Sequence, residues 1–140
     1  MIWNNRYTPY ALALLRIAAA IVIAQHGAQK LFGVLGGAGG NPGQSSIDAG
    51  NWLMAGVGVL ECGGSLLIAI GLWTRPIAFL LSGEMAVAYF WRHTPRGFWP
   101  VVNKGEPAAL LSFIFLFLAA AGPGAWSVDE WMRARKELSA

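Results

Sequence analysis

Four apolar stretches, parted by short polar breaks rich in glycine and proline, organise the chain. The first covers 9–32, opened by Thr8 and Pro9 as N-cap and first-turn residues. The second, 52–73, is entered through Asn51, the third covers 76–91, and the fourth, 107–121, stops at Gly122-Pro123-Gly124. A helix needs roughly 20 mostly apolar residues to cross a bilayer, so the first two stretches qualify and the other two are short. The pattern predicts an all-α protein of one domain over 1–140, a four-helix transmembrane bundle. Trp73-Thr74-Arg75-Pro76 reads as a tight turn, which makes the second and third helices antiparallel neighbours. The stretch 33–50, rich in Gly, Ser and Asn, reads as a flexible loop. Its Gly36–Gly40 run follows no strand and precedes no Lys-Ser/Thr, so a linker is expected there and not a phosphate cradle. The third connection, 92–104, is broken by Pro95, Gly97 and Pro100.

A different pattern follows the last break. Ser127 and Glu130 have capping-box spacing, and Trp126 with Trp131 fits a hydrophobic staple around it. Val128, Trp131, Met132 and Leu138 then share a face, which predicts a short amphipathic C-terminal helix lying on the membrane surface.

Composition agrees with a bilayer. Of 140 residues, 56% are hydrophobic and only 12% charged, half the share of a soluble domain. The net charge of +3 is scattered, with no basic run to suggest nucleic acid. A single cysteine, Cys62, excludes an internal disulfide and a thiol redox pair, and reads as a small packing residue. Trp3, Trp73, Trp126 and Trp131, with Tyr7 and Tyr10, form one expected interfacial belt, and Trp52, Trp91 and Trp99 the other. Arg6, Arg75, Arg133, Arg135 and Lys136 lie on the side of the termini, against Arg92, Arg96 and Lys104 opposite, with Lys30 at the membrane edge there. That bias places both termini in the cytoplasm. The apolar run continues past Ala18–Ala20, so the first span is expected to be retained and not cleaved as a signal peptide.

Charges inside spans are expensive and usually face the bundle interior, where they pair. Arg16, His26 and Lys30 fall on one stripe of the first helix. A rise of ~1.5 Å per residue puts Arg16 roughly 10 Å and Glu84 roughly 12 Å from the terminal side, so an intramembrane ion pair between them is expected. By the same measure Glu61 reaches His26 or Lys30. Gly58 and Gly64 flank Glu61, and Ala78, Ser82 and Ala86 form a second seam of small residues, so close helix approach should enclose the acids. His26, Lys30, Glu61, His93, Asn103 and Glu106, with Gln29 and Lys104, gather toward the side opposite the termini. They are the binding or proton-relay candidates. No metal-ligand spacing is present.

These residues carry a resemblance to the DoxX family of small bacterial membrane proteins. Its blocks are Leu15-Arg16 with His26-Gly27-Ala28-Gln29-Lys30-Leu31-Phe32-Gly33, then Gly58, Glu61, Gly63-Gly64 and Gly71-Leu72-Trp73-Thr74-Arg75. The last comprises His93, Gly97-Phe98, Gly105-Glu106 and Gly122-Pro123-Gly124-Ala125-Trp126-Ser127-Val128-Asp129. A basic residue commonly precedes the aromatic of the last block, where this chain has Ala125. The resemblance implies a four-helix bundle in a bacterial plasma membrane, similar to the small subunit of thiosulfate:quinone oxidoreductase and linked to redox and thiol-stress complexes. The leading expectation is a membrane subunit of a quinone- or thiol/sulfur-linked redox complex, an oxidoreductase subunit and not a stand-alone catalyst. The candidate ligand is a quinone near His26, Lys30 and Glu61, and no covalently held cofactor is expected. The candidate partners are the lipid bilayer, a redox protein and further copies of the chain. A small-molecule or proton transporter-like module and a non-catalytic assembly scaffold are the alternatives.

Overall fold

The computed structural model describes residues 6–139, all-helical with no strand among them; Trp3 of the first aromatic belt lies outside this range. Helix α1 spans Thr8–Phe32, α2 Trp52–Ile70, α3 Thr74–Ala88, α4 Pro100–Asn103, α5 Glu106–Ala121 and α6 Val128–Leu138. A π-turn over Tyr89–His93 extends α3 beyond Ala88. Tyr7 caps α1, so Thr8 and Pro9 both sit inside its first turn, where proline's missing N–H costs nothing. Asn51 caps α2 as expected, its side chain accepting from Met54 N at 3.1 Å.

The second span ends three residues earlier and the third begins two earlier than the apolar pattern indicated. Gly71, at φ 70°, closes α2, with its N–H on Ile68 O and the Leu72 N–H on Leu67 O. Trp73 then turns the chain at φ 50°, and α3 starts at Thr74. The device that permits this early start comes from 55 residues downstream: Asp129 accepts from Trp73 N through Oδ1 and from Thr74 N through Oδ2, both at 2.9 Å. Those amides are orphan donors of a helix start, and α3 has no side-chain cap of its own.

Successive long helices run antiparallel, α1 against α2 and α3 against α5, with α2–α3 and α1–α5 contacts completing the packing. Their common core is Ala19, Ala20, Ile23, Ile68, Ala78, Leu81, Met85, Leu111, Phe115 and Leu118. On the α3 seam, Ser82 donates to Ser112 O at 2.8 Å and Ser112 returns a bond to Ser82 O at 3.1 Å. The outward faces are as apolar as the core, with Leu14, Ile21, Leu66, Phe79, Leu80, Val87, Phe113 and Phe117 all exposed. By length and composition α1 and α2 are membrane-capable, whereas α5, equally apolar, has 16 residues.

The 33–50 connection is not a loose linker. Ala38 N bonds Gln44 O, Gly43 N bonds Gly33 O, and Ser46 N bonds the Lys30 carbonyl at 2.7 Å, folding the loop back over the end of α1. Ser45 donates its hydroxyl (2.6 Å) and its amide (3.1 Å) to Asp48, and these bonds hold the Asp48 carboxyl below its ordinary 3.8. Glycine is required in this fold: a Cβ on Gly37, at φ 74°, would lie 1.6 Å from Asn41 O.

At α6, Ser127 Oγ accepts from Glu130 N at 3.2 Å, the N-cap half of the expected capping box, while Glu130 Oε1 pairs with Arg133. Trp126 meets Tyr10 edge-on at 5.2 Å between ring centroids, and Trp131 lies under the Arg135 guanidinium at 4.8 Å.

Candidate functional site

The closest approach of α1 and α2 is built on glycine. A Cβ on Gly27 would lie 2.7 Å from both the amide nitrogen and the sulfur of Cys62, and one on Gly58 would press on Lys30 and Leu31 at 3.0 Å. This crossing brings Lys30 and Glu61 together: Lys30 Nζ reaches Glu61 Oε1 at 2.8 Å and Oε2 at 2.6 Å. The glutamate is almost fully buried, at 1% side-chain exposure, while Lys30 retains 22%. Gly64, on the next turn of α2, faces Leu81 and Ile77 of α3, so the glycines around Glu61 serve two different neighbours.

Glu84 is the third member of the group. Because α3 starts early, Glu84 stands roughly 15 Å from the terminal end, level with Glu61 at roughly 14 Å. It feels the charges of both Glu61 and Lys30. Its Oε2 is buried and accepts no hydrogen bond. One cation therefore faces two carboxyl groups, and only one of these is bonded to it. His26 lies one turn before Lys30 and is electrostatically coupled to it, but its ring is exposed on the outer face of α1 and bonds neither acid. Between His26 and Glu61 the helices touch, since a Cβ on Gly27 would lie 3.0 Å from Glu61 Cβ.

The expected Arg16–Glu84 ion pair does not form. Arg16 is fully buried and donates to the carbonyls of Pro123, Ala125 (3.3 Å), Trp126 (2.9 Å) and Ala69 (3.4 Å). The reason is twofold: Glu84 lies deeper than its position in the apolar run suggested, and the turn after α5 offers unsatisfied carbonyls nearer at hand. Gly71 makes room, since a Cβ there would lie 2.9 Å from the guanidinium.

His93 and Asn103 do meet, as a tie across the third connection. His93 Nδ1 lies 3.1 Å from Asn103 O, and the Asn103 side chain bonds Gly97 O at 2.7 Å and Gly105 N at 2.7 Å. Tyr89 stacks on His93 and bonds Phe98 O. Glu106 is exposed in the first turn of α5, behind the Gly105 cap, where a negative charge suits the helix start. Among the described residues no hydrogen bond or ion pair joins His93, Asn103 or Glu106 to Lys30–Glu61. Sequence reasoning missed Asp129 as the α3 cap and Ser82–Ser112 as the α3–α5 link. The absence of a capping residue before Thr74 was the available signal for the first.

The DoxX family profile matches residues 11–94, which takes in α1, α2, α3 and all of Lys30, Glu61 and Glu84. The chain belongs to the DoxX family. An uncharacterized protein of Haemophilus influenzae is 41% identical over 132 residues, covering 90% of this chain and 95% of that one. No solved structure matches. The DoxX match ends before the Gly122–Asp129 turn, so Asp129, which caps α3, and all the Arg16 partners but Ala69 lie beyond it.

Proposed function

We propose that this DoxX protein is a multi-pass inner-membrane subunit of a redox complex, in which Lys30, Glu61 and Glu84 pass protons to a quinone at the exposed His26 face. The observation that carries this reading is the buried, unpartnered Glu84 oxygen beside the Lys30–Glu61 ion pair. An unpartnered buried oxygen costs about 1–3 kcal/mol. Arg16 Nε and Thr74 Oγ1 are also unpartnered, but of the three only Glu84 stands level with a buried ion pair whose charges it feels. A carboxyl group left over within reach of an ion pair is a place where a proton is taken up and handed on. Quinone reduction consumes protons along with electrons. The chain carries no cysteine pair or dinucleotide fingerprint, so the electrons come from a partner protein.

The membrane assignment is supported by the apolar outward faces of all four long helices, which in water would form a patch far above the few hundred Å² that soluble monomers expose. Packed against α1 and α2, the shorter α3 and α5 complete a four-helix transmembrane bundle, and the basic excess on the terminal side keeps both termini cytoplasmic.

Two measurements test the reading. Titration of the purified protein with a soluble quinone analogue is expected to saturate and to weaken on His26→Ala; no binding overturns the quinone part. In membranes that also hold the electron-donating partner, proton uptake during reduction of an added quinone, followed with a pH dye, is expected to fall at least tenfold on Glu84→Gln, and uptake that survives this change overturns the relay.

A further inference from the structure

A cleft of about 460 Å³ opens at the terminal end, between the start of α1, the first turn of α3 and the outer face of α6. It lies at the other end of the molecule from Lys30–Glu61, and its size falls in the range of small-ligand sites. Three arginines line it, Arg6 just before α1, Arg75 of α3 and Arg133 of α6, against one acid, Glu130; Arg6 lies over the Tyr7 ring and donates to its hydroxyl at 2.5 Å. Glu130 is matched by Arg133 alone, at 3.2 Å, in an exposed pair that solvent screens. The other acid of the α6 first turn, Asp129, is committed to the α3 start.

The walls are prepared for an anion. Arg75 is held in place by Ala119 O (3.2 Å), Ala120 O (2.6 Å) and Ala121 O (3.4 Å), and packs on Gly122, where a Cβ would come within 3.2 Å of its Nη2. The carbonyls that would repel an anion from this wall are thereby occupied, and Pro123 O is taken by Arg16. On the opposite wall α1 begins with Thr8, has no acidic residue in its first turn and no side-chain cap. That positive helix end carries no acidic residue of its own, and Glu130, across the cleft, is paired with Arg133. Planar guanidinium groups converging from separate elements match a phosphate oxyanion better than any other common ligand.

We propose that this cleft binds a phosphate group, carried either by an acidic phospholipid headgroup or by a soluble phosphate compound. The site stands independently of the proton relay.

The test uses the full chain in detergent micelles, with binding read by native mass spectrometry. Short-chain phosphatidylglycerol is titrated against phosphatidylcholine, and inorganic phosphate is added as competitor. Phosphatidylglycerol is expected to be retained in preference. The Arg6→Gln/Arg133→Gln double variant is expected to weaken it at least tenfold, while the charge-matched Arg92→Gln/Arg96→Gln pair leaves it unchanged. Arg133→Lys, keeping charge without the fork, should recover part of the loss. Arg75 is left intact because it also closes α5. Phosphate that binds and displaces the lipid supports the site with a soluble source, and lipid binding that resists phosphate supports it with a lipid source. Equal retention of both lipids with no phosphate binding overturns the proposal. So does a double variant no weaker than its charge-matched control.

Discussion

The two ends of the molecule handle buried charge in opposite ways. At the terminal end Arg16 is fully buried and gives its two terminal nitrogens to backbone carbonyls, leaving Nε without a partner, while Asp129 acts on its charge without bonding it. Asp129 does the reverse, giving its oxygens to backbone amides. Each of these charges closes a helix end, and together they bind α1, the α2–α3 turn and the start of α6 into one unit. At the other end Lys30 and Glu61 bond each other, and Glu84 is left with an unbonded buried oxygen. The difference is that Arg16 and Asp129 direct their charge to the backbone of other segments and so tie helix ends together, whereas at the other end two carboxyl groups share one bonded cation.

The comparison breaks first at Arg16. Arg16→Ala strands several buried carbonyls and should cost about 3–5 kcal/mol in unfolding experiments in detergent; Arg16→Lys should recover little, because an ammonium cannot span carbonyls from two segments. A loss under 1 kcal/mol would place Arg16 outside the lock. Lys30→Met should cost a similar amount, about 3–5 kcal/mol, by leaving Glu61 buried and unpaired. Here the two ends part, since adding Glu61→Gln to Lys30→Met should restore most of the stability without restoring proton movement, a combination with no counterpart at Arg16.

Gly27→Ala should cost about 1–3 kcal/mol, because its Cβ meets the Cys62 backbone nitrogen at 2.7 Å and the helices must part. Cys62→Ala should relieve only the sulfur contact. Asp129→Ala removes the α3 cap and should cost about 1–2 kcal/mol, with increased amide exchange at Trp73 and Thr74.

The smallest effect concerns the loop over Lys30. The Ser45 bonds lower the Asp48 carboxyl in the folded state, so their contribution is present above the ordinary value of 3.8 and is lost as pH falls through the lowered one. Amide exchange across 33–50 should rise on acidification over that window, and Asp48→Asn should abolish the change.

Much of this was legible in the sequence. The four long helices followed from apolar runs and their Gly and Pro breaks, and depth counting brought Lys30 to Glu61. The errors have one physical source: partners that leave no trace in local pattern. The Trp73–Thr74 boundary is set by Asp129, and the partners of Arg16 are carbonyls, which every residue possesses. The pairing of Arg16 with Glu84 failed because the early start of α3 sets Glu84 deeper, while the turn after α5 brings backbone carbonyls to Arg16. His93 and Asn103 were correctly brought together, but in a tie across their own connection.

The central claim is that Glu84 exchanges a proton within the Lys30–Glu61 group. Infrared difference spectroscopy of the purified protein across a pH titration reads this directly, through the carbonyl-stretch band of a protonated carboxyl group in an apolar site. The account predicts a titrating band that disappears in Glu84→Gln and survives Glu106→Gln. A spectrum with no such band, or a band untouched by Glu84→Gln, contradicts it.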